Sequence, residues 1–267
     1  MKSIPHDYYL KFLDSDVYDK ISTFHNLTNF TMHDATQDIT YLHNIAEKTL
    51  QNLTGNELHL YPDMHAYTSN QKMKPLPNDH PLARKESCDF FIKGGVSFTE
   101  IKEILSPLIK LEKHDYKRGY PSGGGLYPVE VFICDLSGET HGWPAEGKVL
   151  HLLSKTRTFE VVKNIKSIDL LKRALLPNNV RIGEPNVAIV YAAYMPKTVF
   201  KYRYRGYRLA NLEVGSLYML IDLLCSNLKI QSRVWSGYCD DMLCKSLGLN
   251  PTLFFPLCTH LIGSKYE

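Results

Sequence analysis

The chain lacks most of the short signatures that identify an enzyme at sight. Its six cysteines, at positions 88, 134, 225, 239, 244 and 258, form no Cys-x-x-Cys pair, which excludes a zinc ribbon and a thioredoxin-type redox motif. No Gly-Lys-Ser/Thr follows its glycines, so there is no P-loop. None of its eleven histidines pair as His-x-x-x-His on a convincing helix, and no metal is expected. Charge of one sign is missing too: 31 basic against 28 acidic residues leave +3, which speaks against a surface given over to nucleic acid. The longest apolar runs, around Val187–Met195 and Leu217–Cys225, are too short to cross a bilayer, and Asp222 interrupts the second. Met1–Asp7 has no signal-peptide run. Cys134, Cys225 and Cys258 sit in apolar stretches and read as reduced, buried thiols, so a cytoplasmic protein without a membrane partner is expected.

What is present supports a sizeable core. Hydrophobic residues make up 44% of the 267. Residues 1–80 are rich in His, Asn, Asp and Thr, and their spacing predicts one helix from Asp38 to Leu53. A loop, Thr68–Asp79, sets a boundary between 1–80 and a denser domain over 81–267. Ser97–Glu100 has capping-box spacing ahead of Ile101, Ile104, Leu105 and Leu108, and Pro107 should end that helix. Val129–Asp135 reads as an alternating strand that Val149–Leu153 could pair with, and Asn186–Tyr194 as a buried strand. Helices are predicted over Ile168–Leu176, Arg208–Leu228 and Asp240–Leu247, and a last strand over Pro256–Gly263. In the long helix Leu212, Gly215, Ser216, Met219, Leu220 and Leu223 form the expected core face. Strands and helices alternate without a βαβ rhythm, so the fold class is α+β.

Two segments carry the chemistry. Tyr120-Pro-Ser-Gly-Gly-Gly-Leu-Tyr-Pro128 precedes a strand, so it fails the context of a dinucleotide fingerprint. Its consecutive glycines let main chain approach a flat ligand closely; a plain surface turn is the other reading. Lys201-Tyr-Arg-Tyr-Arg-Gly-Tyr-Arg208 packs four cations and three phenols into eight positions. A lysine or tyrosine there could serve as a base beside Arg203 and Arg205. A solvated edge strand and a base-stacking nucleic-acid surface are the alternatives.

Together these segments resemble the SagB-type dehydrogenases, FMN-dependent azoline oxidases of the nitroreductase-like superfamily. The matching pieces are Gly119–Phe132, Phe200–Arg208, Glu213–Ser216 and Arg233–Asp240, in the family's order. The resemblance covers 82–263 well and the first 80 residues loosely. It implies a nitroreductase-like FMN-binding fold; the different composition of residues 1–80 points to an extra N-terminal docking region. The resemblance also implies two-electron oxidation of thiazolines or oxazolines to thiazoles or oxazoles in a ribosomally made precursor peptide, as in bacteriocin biosynthesis. By the same resemblance Lys201 and Tyr202 are the catalytic pair, and Ser122, Gly123 and Gly124 touch the flavin. Ser236, Gly237 and Tyr238 then face its reactive nitrogen. The family's Arg-x-Ser-x-Arg phosphate grip reads here as Lys85-Glu-Ser-Cys-Asp89, so Arg84 and Lys85, with Ser87, become the phosphate candidates. The implied partners are the peptide, the E1-like and YcaO-type subunits of a cyclodehydratase, and a second copy of the chain. An NAD(P)H-dependent nitroreductase or flavin oxidoreductase, or a flavin-less scaffold subunit, are the alternatives. Glu213 is expected in a buried ion pair with Arg205 or Arg208 rather than as a catalytic acid. Trp235, Tyr204 and Tyr207 are expected to pack.

Overall fold

The computed structural model describes residues 6–36, 46, 48–49, 71–113, 116–144, 148–162, 168–177 and 181–265. The helix predicted over Asp38–Leu53 lies outside these residues but for a few isolated positions. A helix the sequence reading missed, α1 (Ser15–Thr28), starts where Asp14 caps Val17 N–H at 3.2 Å. Val17, Ile21 and His25 recur at every fourth residue and are buried, so this part of the N-terminal region is built into the main core. A short α2 (Met32–Thr36) follows.

The capping box forms as expected: Ser97 and Glu100 cap α3 (Phe98–Leu105), and a 3-10 turn through Pro107 ends it. Six strands then build one antiparallel sheet in the order β3-β2-β1-β4-β6-β5. They are β1 (Val129–Asp135), β2 (Val149–Leu153), β3 (Thr158–Val161), β4 (Val187–Tyr194), β5 (Gln231–Trp235) and β6 (Phe254–Gly263). Helix α4 (Ile168–Leu175) precedes β4. After β4 come α5 (Pro196–Tyr202) and the long α6 (Tyr204–Asn227), and α7 (Asp240–Ser246) follows β5.

β1 does not alternate as expected. Val129, Val131 and Ile133 enter one core with α1, α3 and α6, while Phe132 and Cys134 enter a second core with α4 and α7. Both faces of the central strands are covered, so their side chains are mostly apolar, and β4 is buried along its whole length.

The core face of α6 is also not the expected one. Ala210, Glu213, Val214, Leu217, Ile221 and Cys225 face the sheet. Leu212 is 62% exposed and Met219 is 37% exposed. An 18-residue stretch of α6 has a mean hydropathy of 1.3, apolar enough to cross a membrane by length and composition, and the buried part of that stretch packs on the sheet.

Candidate active site

β1 begins where β4 ends, through the pairs Val129↔Ala193 and Tyr194↔Phe254. This end of the sheet gathers the glycine loop, which leads into β1, and helix α5, which leaves β4. The basic-aromatic segment is therefore helical, not an edge strand. Pro196 starts α5, whose missing N–H costs nothing at a first turn. Arg203 breaks the chain between α5 and α6 with φ 49° and ψ −134°, a strained backbone for a residue with a side chain. Its guanidinium holds Asp14, the cap of α1, at 3.0 Å.

The break presents Lys201 and Tyr202 to the glycine loop. A Cβ built on Gly124 (φ +64°) would collide with the Tyr202 hydroxyl and come within 3.1 Å of Lys201 Nζ. One on Gly123 would press on Leu209 of α6 at 3.0 Å. These two glycines are what lets the loop lie under the lysine–tyrosine doublet. Lys201 Nζ stands 5.2 Å from the Tyr202 ring centroid, and Tyr202 is half-buried.

Beneath the loop, the Ser122 hydroxyl donates to Glu213 and accepts Tyr127 N–H at 2.8 Å. Val129 N–H reaches the second Glu213 oxygen at 3.4 Å. The Ser122 side chain is thus turned into the protein, and only its main chain faces outward. Glu213 makes no ion pair with Arg205 or Arg208, which are exposed. Burial, only partly offset by the Ser122 hydroxyl, raises its carboxyl to about 7. Nearby, Glu130 bonds Lys197 at 3.2 Å and His151 at 3.2 Å. Those cations overcome burial and hold it at about 2.

The other predicted residues lie elsewhere. Cys88 N–H bonds Ser232 O, and Ser232 pairs with Ile262, itself opposite Val187, so Arg84–Asp89 sits at the far end of the sheet. Arg84 bonds Asp222 and Ser87, each at 2.9 Å. Asp89 draws in Arg233 at 3.3 Å. Lys85 and Lys229 line a cavity of about 100 Å³ with Asp222 and Ser232. Lys229, in the turn after α6, was not singled out by sequence reading, because only the sheet pairing brings it beside Lys85. Burial would raise Asp222, but His260, Ser232 and Arg84 together hold it below the usual carboxylate range. After β5, Gly237 lies against the Trp235 ring and Tyr238 is buried in the second core. Trp235 itself donates to Leu175 O at 2.8 Å, and Tyr207 packs edge-on to Phe24, both as expected. Tyr204 is exposed.

No family model matches the chain. Over 256 residues, 94% of this chain and 92% of the other, it is 29% identical to the microcin B17-processing protein McbC of Escherichia coli. A chain of the E. coli microcin synthetase McbBCD complex, solved with truncated pro-MccB17 bound, superposes with a TM-score of 0.83 over 99% of both chains, again at 29% identity. The chain is an McbC homologue. The fold is nitroreductase-like: a nitroreductase from Ralstonia eutropha superposes at a TM-score of 0.58 over 75% of this chain and 88% of its own, at 14% identity. An NAD(P)H:FMN oxidoreductase from Staphylococcus epidermidis does so at 0.50 over 74% and 91%, at 12% identity. The α+β class and the resemblance drawn from the sequence are borne out.

Two features of the residues present are compatible with a flavin. The cations around Lys85 and Arg84 offer charge for a phosphate. The glycine loop offers main chain with no side chain in the way.

Proposed function

We propose that this chain oxidises thiazoline or oxazoline rings of a ribosomally made precursor peptide to thiazoles or oxazoles, with FMN as cofactor. The observation that carries the proposal is the convergence of the Tyr202 hydroxyl and Lys201 ammonium on Gly124. Its support from comparison is the end-to-end similarity to a microcin B17-processing protein whose solved complex holds its peptide.

The ring carbon beside the carbonyl bears an acidic proton. Tyr202 or Lys201 removes it, and each can be the base because each reaches the loop. The neighbouring ring carbon gives up hydride, and FMN, when bound, supplies the acceptor. Loss of proton and hydride leaves the aromatic ring. The protein's task is orientation and a place for the proton. Arg84, Lys85 and Ser87 would hold the phosphate, and the main chain of Ser122–Gly124 and Ser236–Tyr238 would border the ring system.

The same reading draws the two halves of that site from two chains. Along β4 the glycine loop and the Arg84 cluster differ by the span from Ala193 to Val187, roughly 20 Å. Across the sheet, β1 and β5 are separated by two strands, which adds roughly 14 Å. A diagonal of that size supports a site completed by a second copy. The exposed stripe of α6, with Leu212, Met219 and a Gly215 that nothing approaches, suits that contact. At limiting flavin, where neither chain works alone, mixing an Arg84→Ala chain with a Gly124→Glu chain should restore one working site per pair. No restoration would return both halves to a single chain.

The same proposal places the protein in the cytoplasm, where six unpaired cysteines stay reduced, and in a complex with the E1-like and YcaO-type cyclodehydratase subunits. A docking role for the first 80 residues belongs to it. Since Val17 and Ile21 are core residues, the test is deletion of 37–70 alone, with loss of the complex expected.

Mass spectrometry of the precursor, made with and without this chain, tests the function: each ring should lose two hydrogens. Steady NAD(P)H consumption with no ring oxidation would instead identify a nitroreductase. Absence of flavin absorbance after added FMN would identify a scaffold.

A further inference from the structure

Glu213 is a buried carboxylate that the proton-transfer step described above does not use. It is 3% exposed on the inner face of α6, and its partners among the described residues are a hydroxyl and a main-chain amide. The hydroxyl is that of Ser122, the residue directly before the two glycines on which Tyr202, Lys201 and Leu209 rest. Ser122 also accepts the N–H of Tyr127, which stands at φ 50° at the loop's far end. The Tyr127 hydroxyl in turn accepts Arg118 N–H at 3.0 Å. The loop is therefore pinned at both ends to one oxygen, and that oxygen is oriented by Glu213.

We propose that Glu213 is a positioning residue: acting through Ser122, it sets the glycine loop against Tyr202 and Lys201, and its protonation state decides whether the loop is held. This rests on the reading that the doublet takes the substrate's proton. As a carboxylate, Glu213 accepts both the Ser122 O–H and the Val129 N–H. As a neutral acid it becomes a donor toward Ser122, whose oxygen already accepts Tyr127 N–H and must turn its own hydrogen elsewhere. With its carboxyl near 7, both forms are present at neutral pH. The charged and titratable groups around it are Arg118 before the loop, Lys197 on α5, Tyr120, and Glu130 on β1. Glu130 is already committed to Lys197 and His151 and stays ionised, so it does not share the proton.

Hydrogen exchange of the segment Gly123–Val129, without substrate or flavin, tests the proposal. Corrected for intrinsic rates, protection in the natural chain should rise roughly fivefold from about pH 6 to about pH 8, the equivalent of one hydrogen bond. Glu213→Gln, which keeps the size but cannot ionise, should show no rise. An equal rise in Glu213→Gln, or none in the natural chain, overturns the proposal. If Glu213→Gln does not fold, Ser122→Ala carries the same comparison with Glu213 in place, and a retained rise there overturns it too. For ring oxidation, the kcat limb near pH 7 should vanish in Glu213→Gln while flavin absorbance is kept. Exchange that behaves as expected in a chain that oxidises no ring would sink the functional reading and leave the positioning role standing.

Discussion

Helix α6 carries two buried carboxylates, and the fold treats them in opposite ways. Asp222, toward its C-terminal end, is met by Arg84, Ser232 and His260 and is held ionised. His260 Nε2 is 3.7 Å away, an electrostatic neighbour rather than a hydrogen-bond partner. Glu213, nearer the N-terminal end, receives only a hydroxyl and an amide and keeps its proton to about 7. The difference separates two kinds of site on one helix. At Asp222 the carboxylate is paired and orders an arginine; at Glu213 it is left without an ion-pair partner among the described residues.

The sharpest test of that division is the doublet. Tyr202→Phe should reduce ring oxidation at least roughly a hundredfold, the scale of one lost acid–base group, while FMN affinity stays unchanged in a flavin titration. A parallel loss of flavin would erase the distinction between the two ends. Arg84→Ala should do the reverse: FMN affinity falls roughly tenfold, and turnover at saturating flavin is kept.

Two adjacent glycines sharpen the comparison further. Gly124 and Gly125 have nearly the same φ, +64° and +65°, but only Gly124 lies under Tyr202; the nearest atom to a Cβ at 125 is 3.9 Å away. Alanine at either position should lower thermal stability by about 1 kcal/mol from backbone strain. Only Gly124→Ala should also depress turnover, because the added methyl displaces the hydroxyl.

The smallest effect is on stability against pH, and it has opposite signs at the two carboxylates. Glu213 titrates at about 7 folded against an ordinary 4.5, so the folded chain holds an extra proton between those values. Its contribution therefore falls as pH rises through that window. Asp222 is depressed, so its contribution is present above its ordinary 3.8 and is lost as pH falls below it. Denaturant midpoints measured across pH for Glu213→Gln and Asp222→Asn should each remove one of these slopes.

Much of this was legible in the sequence, for identifiable reasons. The capping box at Ser97 and the apolar runs of β1 and β4 are local signals, and local structure obeyed them. Both the glycine loop and the doublet were visible as motifs, and their meeting followed from the resemblance. The working face of α6 was misread because Leu212 and Met219 are more apolar than the Ala210 and Glu213 that face the sheet. An apolar residue left exposed reads as core when only the pattern along one helix is followed. The partner of Glu213 was missed for a related reason. Charge suggested Arg205 or Arg208, whereas the actual partner, Ser122, is 91 positions away in a loop. Nor does any residue type announce the break at Arg203, since glycine is the usual occupant of a positive φ.

All six cysteines are unpaired and buried, spread over the Cys88 segment, β1, α6, the entry to α7, α7 itself and β6. Burial pushes those of Cys225 and Cys244 up to about 12, further from the reactive thiolate. The native chain should thus react slowly with alkylating reagents, each thiol becoming labelled as its own neighbourhood opens. The molecule carries a built-in set of stopwatches, read by mass, for the order in which its layers come apart.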